Sequence, residues 1–558
     1  MRNLLLLAVL LICSLVTLAQ TRTVTGQVKD DKGEVIPFAT VTEVGTNNAV
    51  QADANGNFSI TVRSGAQIRV TATAHQPQTL AANADNLQFT LRGGEAQMQE
   101  VVVTALGIRR ERRSLTYATQ TIGSDQINRS GTGNPLSELE GKAAGLTVIN
   151  STGDPGGGTY VRLRGVTSIT GDNQPLMVVD GVPIDNSINS YDPTSATPNT
   201  SGANANLTGG TIPSNRGIDI NPNDIESITV LKGPAATALY GIRAASGALI
   251  ITTKRGAAGQ KMSIEFNSSA NWSTTNRLPE LQTLYSQGTG GVYQGPTSGK
   301  SGRRVSWGAA IDTLFWDGNA NEWDPHGNIV GKSDPSAKIP VTPYDRYEFF
   351  KTGYALNNNI ALSGSTDRST FRASIGNVYQ TGVIPKTKYN KTTFSLNGQT
   401  RLTNKLTITG SMNYIVSDND KVQQGSNVSG VMLGLLRTPP TFDNSFGLSD
   451  AKNNEAAYVI ASTGQQRNYR GGGTSYDNPY WTVNRNPFAE RVNRVLGNLQ
   501  TTYQFADWIG VSYRFGGDVY SQDSKNFYDI NSNAFPAGKG IINEYFNNQY
   551  NSDFTVNL

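Results

Sequence analysis

The chain has 558 residues, room for roughly three to five average domains, yet only 16% are charged against roughly 25% in a typical soluble domain, while 59 are glycine and 23 proline. That balance points to many short strands and turns, and a net charge of +4 over this length is no footprint for nucleic acid. A mean hydropathy of −0.37 with no apolar run near 20 residues beyond the N-terminus excludes a helical membrane protein, but not a membrane β-barrel, whose alternating strands average out.

At the N-terminus, Arg2, an apolar run from Leu4 to Leu18 and the small-x-small triplet Thr17, Leu18, Ala19 read as a signal peptide over residues 1–19. It carries Cys13, the only cysteine, so the mature chain has no disulfide. His75 and His326 are the only histidines, which removes Ser-His-Asp triads and His-rich metal sites. The stretch Gly295–Ser301 is one residue short of a phosphate loop, with Gln294 where its first glycine belongs. Asp53 to Asn57 lacks the glutamate that would close a calcium loop and reads as a hairpin turn. No catalytic residue, cofactor or metal site is expected, and the chain is not read as an enzyme.

Residues 20–93 show short alternating runs separated by turn clusters, the pattern of a small β-sandwich. The spacing of Gly26, Val28, Asp30, Gly33, Ile36, Ala39, Val41, Asp53, Gly56 and Phe58 resembles the carboxypeptidase-regulatory-like domain.

Residues 98–108 follow, MQEVVVTALGI, and then the basic run Arg109–Arg113. Three consecutive valines without proline would pair readily with an exposed sheet edge. Glu100, Val101, Val102, Val103, Thr104 and Ala105 resemble the TonB box of TonB-linked outer-membrane receptors, which implies that these residues contact TonB.

From 109 to 256 the chain predicts a compact α+β unit. Asn134 and Pro135 should cap a short helix that Gly145 ends, and strands are expected at Thr159–Arg164, Leu176–Val179, Ile225–Leu231 and Ala248–Lys254. The strings QPLMVVDGVPID and DIESITVLKGPAATALYGIRAASGALIITTK resemble the plug domain of the SusC-like family of TonB-linked receptors. Arg162, Arg164, Gly165, Asp180, Gly181, Lys232, Gly233, Tyr240 and Gly241 are the plug positions this implies to be structural, with Arg162 and Arg164 expected to pair with barrel acids. The polar insert from Ser187 to Arg216 suits either a substrate-facing loop or a spacer.

Residues 257–558 should be the first part of a transmembrane antiparallel β-barrel. Period-two alternation places strands at Ser263–Ser273, Asn357–Ser365, Ser369–Gln380, Lys391–Leu402, Lys405–Ser417, Val492–Phe505, Ile509–Tyr520 and Gln549–Leu558. Short and long connections alternate, as they do when turns lie on one side of a membrane and loops on the other. Plugged receptors have about 22 strands, so about eight mark this as an N-terminal part of a longer receptor. The fold class is thus mainly β: sandwich, plug, and a partial barrel.

The resemblance implies an outer-membrane import receptor of a SusC/SusD-type uptake system, with sandwich and TonB box in the periplasm. Its expected partners are TonB with its inner-membrane energising complex, a SusD-like surface lipoprotein and outer-membrane lipid, and no nucleic acid. The expected cargo is an oligosaccharide; the alternatives are a peptide importer of the same family and, further off, a secreted β-rich adhesion or scaffold protein. Trp307, Trp316, Trp323, Tyr344, Tyr480 and Trp481 are the loop aromatics that could stack on sugar rings, with loop packing or an interfacial girdle the more economical role for each.

Overall fold

The computed structural model describes residues 21–557 except 32, 47, 64, 73–74, 76, 93–100, 104–108, 112–118, 130, 151, 170–172, 190–210, 212, 234–236, 297, 299–304, 425–428 and 472–475. The expected signal peptide and most of the Ser187–Arg216 insert lie outside the described residues. The chain divides into two compact units, Met1–Val101 and Val102–Leu558.

In the first unit, β1 (Thr21–Asp30), β2 (Thr40–Glu43), β3 (Ala49–Gln51), β4 (Asn57–Arg63), β5 (Gln67–Thr71), β6 (Gln78–Ala81) and β7 (Asn86–Leu91) form two sheets, ordered β4-β1-β7 and β3-β2-β5-β6. Alternate residues turn inward, so Val24, Val28, Val41, Phe58, Ile60, Val70 and Phe89 make one core between the sheets. The Asp53 turn is tight, its carboxylate accepting the Asn55 and Asn57 N–H groups at 2.9 and 2.8 Å. It is not a hairpin turn: β3 and β4 belong to different sheets, and the turn carries the chain from one to the other.

Next in the chain, β8 (Val101–Val103) pairs with β9 (Arg109–Glu111). The plug strands are β10 (Thr119–Gly123), β11 (Leu146–Asn150), β12 (Thr159–Leu163), β13 (Leu176–Val179), β14 (Val182–Ile184), β15 (Ile225–Leu231) and β16 (Ala248–Thr253). Five of them form a sheet ordered β10-β15-β16-β13-β14, while β11 and β12 pair apart. β16, ALIITT, is buried along its whole length, which is why its sequence runs apolar without alternating. The helix expected after Pro135 is only a 3-10 turn, Ser137–Leu139, because Gly141 and Gly145 take left-handed φ values of 70° and 77°.

The barrel wall is one eight-stranded antiparallel sheet. Its first strand is β17 (Ser263–Ser273); five short strands follow in loops, β18 (Gly288–Thr289), β19 (Val292–Tyr293), β20 (Leu314–Trp316), β21 (Ile329–Gly331) and β22 (Ile339–Pro340). The wall resumes with β23 (Gly353–Ser365), β24 (Ser369–Thr381), β25 (Lys388–Arg401), β26 (Leu406–Lys421), β27 (Phe488–Ala506), β28 (Ile509–Tyr528) and β29 (Lys539–Asn557), in sequence order. No helix among the described residues is long and apolar enough to cross a membrane.

Long and short connections alternate along the wall: residues 274–352, 382–387, 422–487 and 529–538 against 366–368, 402–405 and 507–508. At the short-turn end the strands stop within a residue or so of their expected limits. At the other end they overrun: β28 continues from Tyr520 to Tyr528 and β29 begins at Lys539, ten residues before Gln549. β28 shows why. Its outward positions Ile509, Val511, Tyr513, Phe515, Gly517 and Val519 give way to Ser521, Asp523 and Lys525, so the apolar signal stops while the hydrogen-bonded ladder continues. The ten steps from Ile509 to Val519 span about 34 Å of strand, or about 26 Å of height at a tilt of about 40°, close to the apolar band of an outer-membrane barrel.

Candidate functional site

The inner face of the wall is polar and packs on the plug. The register places Arg372, Lys391, Lys421, Glu490, Arg494, Arg514 and Asp518 in phase with the inward Ser, Thr and Asn residues, opposite the apolar outer positions. Most of these charges are nearly or wholly buried, and each is paired or hydrogen-bonded.

The densest group joins β26, β27 and β28 to Asp185 and plug residues 214–219. Arg494 forks onto Asp518 with two bonds of 2.7 Å, then donates to Asp219 Oδ2 at 2.9 Å and to the carbonyls of Arg216 at 2.8 Å and Asp185 at 3.1 Å. Arg216 donates to Glu490 at 2.8 Å, and Lys421 reaches Glu490 at 3.3 Å and the Ser214 hydroxyl at 2.9 Å. Tyr520 donates to Asp185, and the Asp185 N–H donates to Asp518 at 2.9 Å.

A second group grips residues 218–224 from β23, β24 and β25. Lys391 donates to the carbonyls of Gly133, Ile218 and Ile220 at 3.1, 2.6 and 3.3 Å. Asp224 accepts from Ser374 and Ser395 at 2.6 and 3.1 Å with Arg372 3.5 Å away, and the Asn221 amide donates to Asn359 at 2.9 Å. Closer to the long connections, Asp154 accepts from Gln424; burial pushes its carboxyl up to about 6, against the opposing pull of Lys421.

The plug positions expected to be structural each find a local cause. Asp180 and Gly181, with φ of 47° and 85°, form the two-residue turn between β13 and β14 that requires left-handed backbone at both places. Asp180 accepts from the Thr253 hydroxyl at 2.6 Å, and a Cβ on Gly181 would lie 1.9 Å from the Arg514 guanidinium. Arg164 and Gly165 are also left-handed, with Gly233 beside Arg164. Lys232 donates to Gln120 at 2.7 Å, and burial and then Arg164 hold its ammonium below its usual pKa. Gly241, at φ 63°, kinks the 3-10 segment Ala238–Ala244, and Tyr240 packs against the Val178, Leu231 and Ile250 cluster.

Arg162 and Arg164 do not pair with barrel acids among the described residues: Arg162 lies over the Tyr160 ring at 5.5 Å. Plug and wall are instead joined through Arg216, Asp219 and Asp224, which sequence reasoning passed over. The available signal was the phase of the wall charges, since each falls on the polar side of its strand.

Of the six residues that resemble a TonB box, Val101, Val102 and Val103 are described by their backbone in β8; Glu100, Thr104 and Ala105 lie outside the described residues. Among the loop aromatics, Trp316 lies in one small loop core with Ile311, Leu314 and Ile329, and Tyr480 and Trp481 in another with Phe349, Val431 and Leu435. Tyr344 packs on the Trp316 core and bonds Asp324 and His326, Trp323 is half-buried, and Trp307 is 65% exposed beside the Tyr285 ring. Packing therefore accounts for four of the six, and Trp307 is the one open to a ligand.

Comparison with known proteins gives matches to the CarboxypepD_reg-like domain over residues 24–103 and to the TonB-dependent Receptor Plug Domain over 111–248. The chain is 28% identical over 502 residues to the TonB-dependent receptor SusC of Bacteroides thetaiotaomicron, covering 87% of this chain and 43% of that protein. It is 25% identical over 574 residues to the TonB-dependent receptor P26 of Formosa agariphila, covering 94% and 51%. It is similar in fold to the RagAB peptide importer in its open-open state, with a TM-score of 0.55 at 21% identity over 82% of this chain and 46% of that one. The chain thus spans about half the length of the curated relatives it matches. With its sandwich, its plug and a wall of eight antiparallel strands that meets the plug mainly through polar contacts, the chain is similar to the SusC-like TonB-linked outer-membrane receptors.

Proposed function

We propose that the chain belongs to a receptor that imports oligosaccharide across the outer membrane, energised through TonB and assisted by a SusD-like surface lipoprotein. One observation carries the reading: a strand wall with an apolar outer band and a polar inner face is filled by a plug that touches it mainly through hydrogen bonds and ion pairs. Such an arrangement seals a pore against water yet leaves little apolar surface to strand when the plug shifts, chiefly at Leu496 and where Ile218 meets Val378 and Tyr389. The long connections face the cell exterior in this reading, and the short turns, the sandwich and the TonB box face the periplasm.

Glu100 to Ala105 are the TonB contact, by strand addition. Among the described residues β8 pairs with β9 alone, which leaves its other edge for a third strand. Val102→Pro removes a donor from that strand, whereas Val102→Thr keeps the backbone and a β-branched side chain. Uptake of labelled oligosaccharide by cells should fall sharply with the proline and stay near the parent's with the threonine. Equal uptake by both variants removes strand addition from the account, and uptake of oligopeptides in place of sugars would change the cargo.

A further inference from the structure

Two cavities lie against the same pair of wall strands. One, of about 550 Å³, sits between plug residues 132–157 and the long-connection ends of β24 and β25, where Gln380 and Tyr389 line it. The other, of about 540 Å³, lies toward the short turns, its wall made by Thr370, Gln399, Thr407, Thr409, Gln500 and Thr502. Gln380 and Thr370 are ten residues apart on β24, and Tyr389 and Gln399 ten apart on β25, so about 34 Å of strand separates the cavities.

One plug segment fills that interval. Residues 215–225 are buried throughout, and the side chains holding them, Arg372 and Ser374 on β24 and Lys391 and Ser395 on β25, stand between the two sets of lining residues. Their contacts with it are polar. We infer that residues 215–225 are the gate of a transit path along the inner faces of β24 and β25, and that the path carries an uncharged, hydroxyl-rich chain.

The lining chemistry selects that cargo. Apart from Asp180, Arg255 and Arg514, the lower cavity's polar lining consists of hydroxyls and amides, groups that exchange hydrogen bonds with sugar hydroxyls but hold none of them strongly. The arginines at its margin are occupied, Arg255 near Asp180 at 3.7 Å and Arg514 on Asp553 at 2.7 Å. Around the upper cavity, Glu138, Glu140 and Asp154 outnumber Lys142, a balance that disfavours uronate or sulfate groups. This inference rests on the import reading and narrows it to neutral oligosaccharides.

The test uses the receptor in its own outer membrane. Gln399→Trp and Thr409→Trp fill the lower cavity, and Leu396→Trp on the lipid side of β25 is the control. Surface binding of a labelled neutral glucose oligosaccharide should be retained in all three, while import falls roughly tenfold or more in the two cavity variants only, as a barrier raised by about 1.4 kcal/mol would give. An oligogalacturonate of equal length should enter poorly even in the parent. As a second measurement that needs no bulky residue, Lys391→Met, which frees the gate, should raise permeation of a neutral trisaccharide in cells lacking TonB.

Cavity variants that bind and import like the parent overturn the path, and so does a Lys391→Met receptor as tight as the parent. Import of oligogalacturonate at the neutral sugar's rate overturns the cargo assignment. A parent that imports no oligosaccharide under TonB energisation removes the import reading, and the path with it.

Discussion

Arg494 offers the most direct measure of what fastens plug to wall. It is fully buried, and its five N–H groups meet five acceptors: two on Asp518, one on Asp219, and the carbonyls of Arg216 and Asp185. Arg494→Lys keeps the charge but replaces a planar fork by three donors at a single point, so at least two charge-assisted bonds are lost. At about 1.5–3 kcal/mol each, the loss is about 3–6 kcal/mol. Arg494→Met leaves Asp219 and Asp518 buried without their arginine, in the range of about 3–5 kcal/mol for a broken buried pair. Hydrogen exchange of the backbone amides of residues 215–220 reads this as local opening, and a loss of about 3 kcal/mol speeds exchange by roughly a hundredfold. Salt should change little, because solvent does not reach the pair. A cycle with Asp219→Asn isolates the plug-to-wall component. Exchange within threefold of the parent in both Arg494 variants would refute the view that this network holds the plug.

Asp154 and Gly181 supply two further expectations. Because burial pushes the Asp154 carboxyl up to about 6 in the folded chain, against about 3.9 when unfolded, the native state binds the extra proton between those values; stability therefore rises as pH falls from about 6 toward 4. The penalty is fully present above pH 6 and amounts to about 3 kcal/mol, so Asp154→Asn should flatten the dependence of melting temperature on pH between 7.5 and 5, and parallel curves would contradict it. Gly181→Ala places a methyl into the Arg514 guanidinium in a turn that needs positive φ, so a loss of about 1–3 kcal/mol and a broken Arg514–Asp553 pair are expected by thermal melting and structure determination.

How far the sequence could be read depended on which solvent each residue faces. In the sandwich and along the lower wall, lipid or core lies on one side and water or polar plug on the other, so alternation marks strands such as Ser263–Ser273 to the residue. Above the apolar band both faces are polar, periodicity fades, and the last eight residues of β28 and the first ten of β29 were missed. Asp180 and Gly181 stand out through the family resemblance, and their left-handed backbone gives the physical reason that this turn admits few residues. After Pro135 the cap residues are present, with Asn134 Oδ1 accepting the Leu136 N–H at 3.1 Å, but Glu140 turns extended at ψ 127° and Gly141 is left-handed, so only one turn forms. Arg162 and Arg164 were assigned to barrel acids because they are charges on a plug strand; which charge meets which depends on the docking of two elements far apart in the chain, and local pattern does not encode it.

The low overall charge, set beside a plug interface crowded with buried ions, has a physical logic. An apolar contact of the same area would hold the plug more firmly, since replacing buried ion pairs by well-packed hydrophobic groups is often neutral or stabilising. It would also expose that apolar surface each time the plug moved. Arg216, Asp219 and Asp224 on the plug, and Lys391, Glu490, Arg494 and Asp518 on the wall, are groups that water accepts readily on both faces once parted. Their pairing fixes one register, because a shifted plug leaves charges without partners. An interface specific when closed and soluble when open is what a plug needs if it is to be withdrawn and returned many times, and the fork of Arg494 across two strands and two plug segments is where that specificity is concentrated.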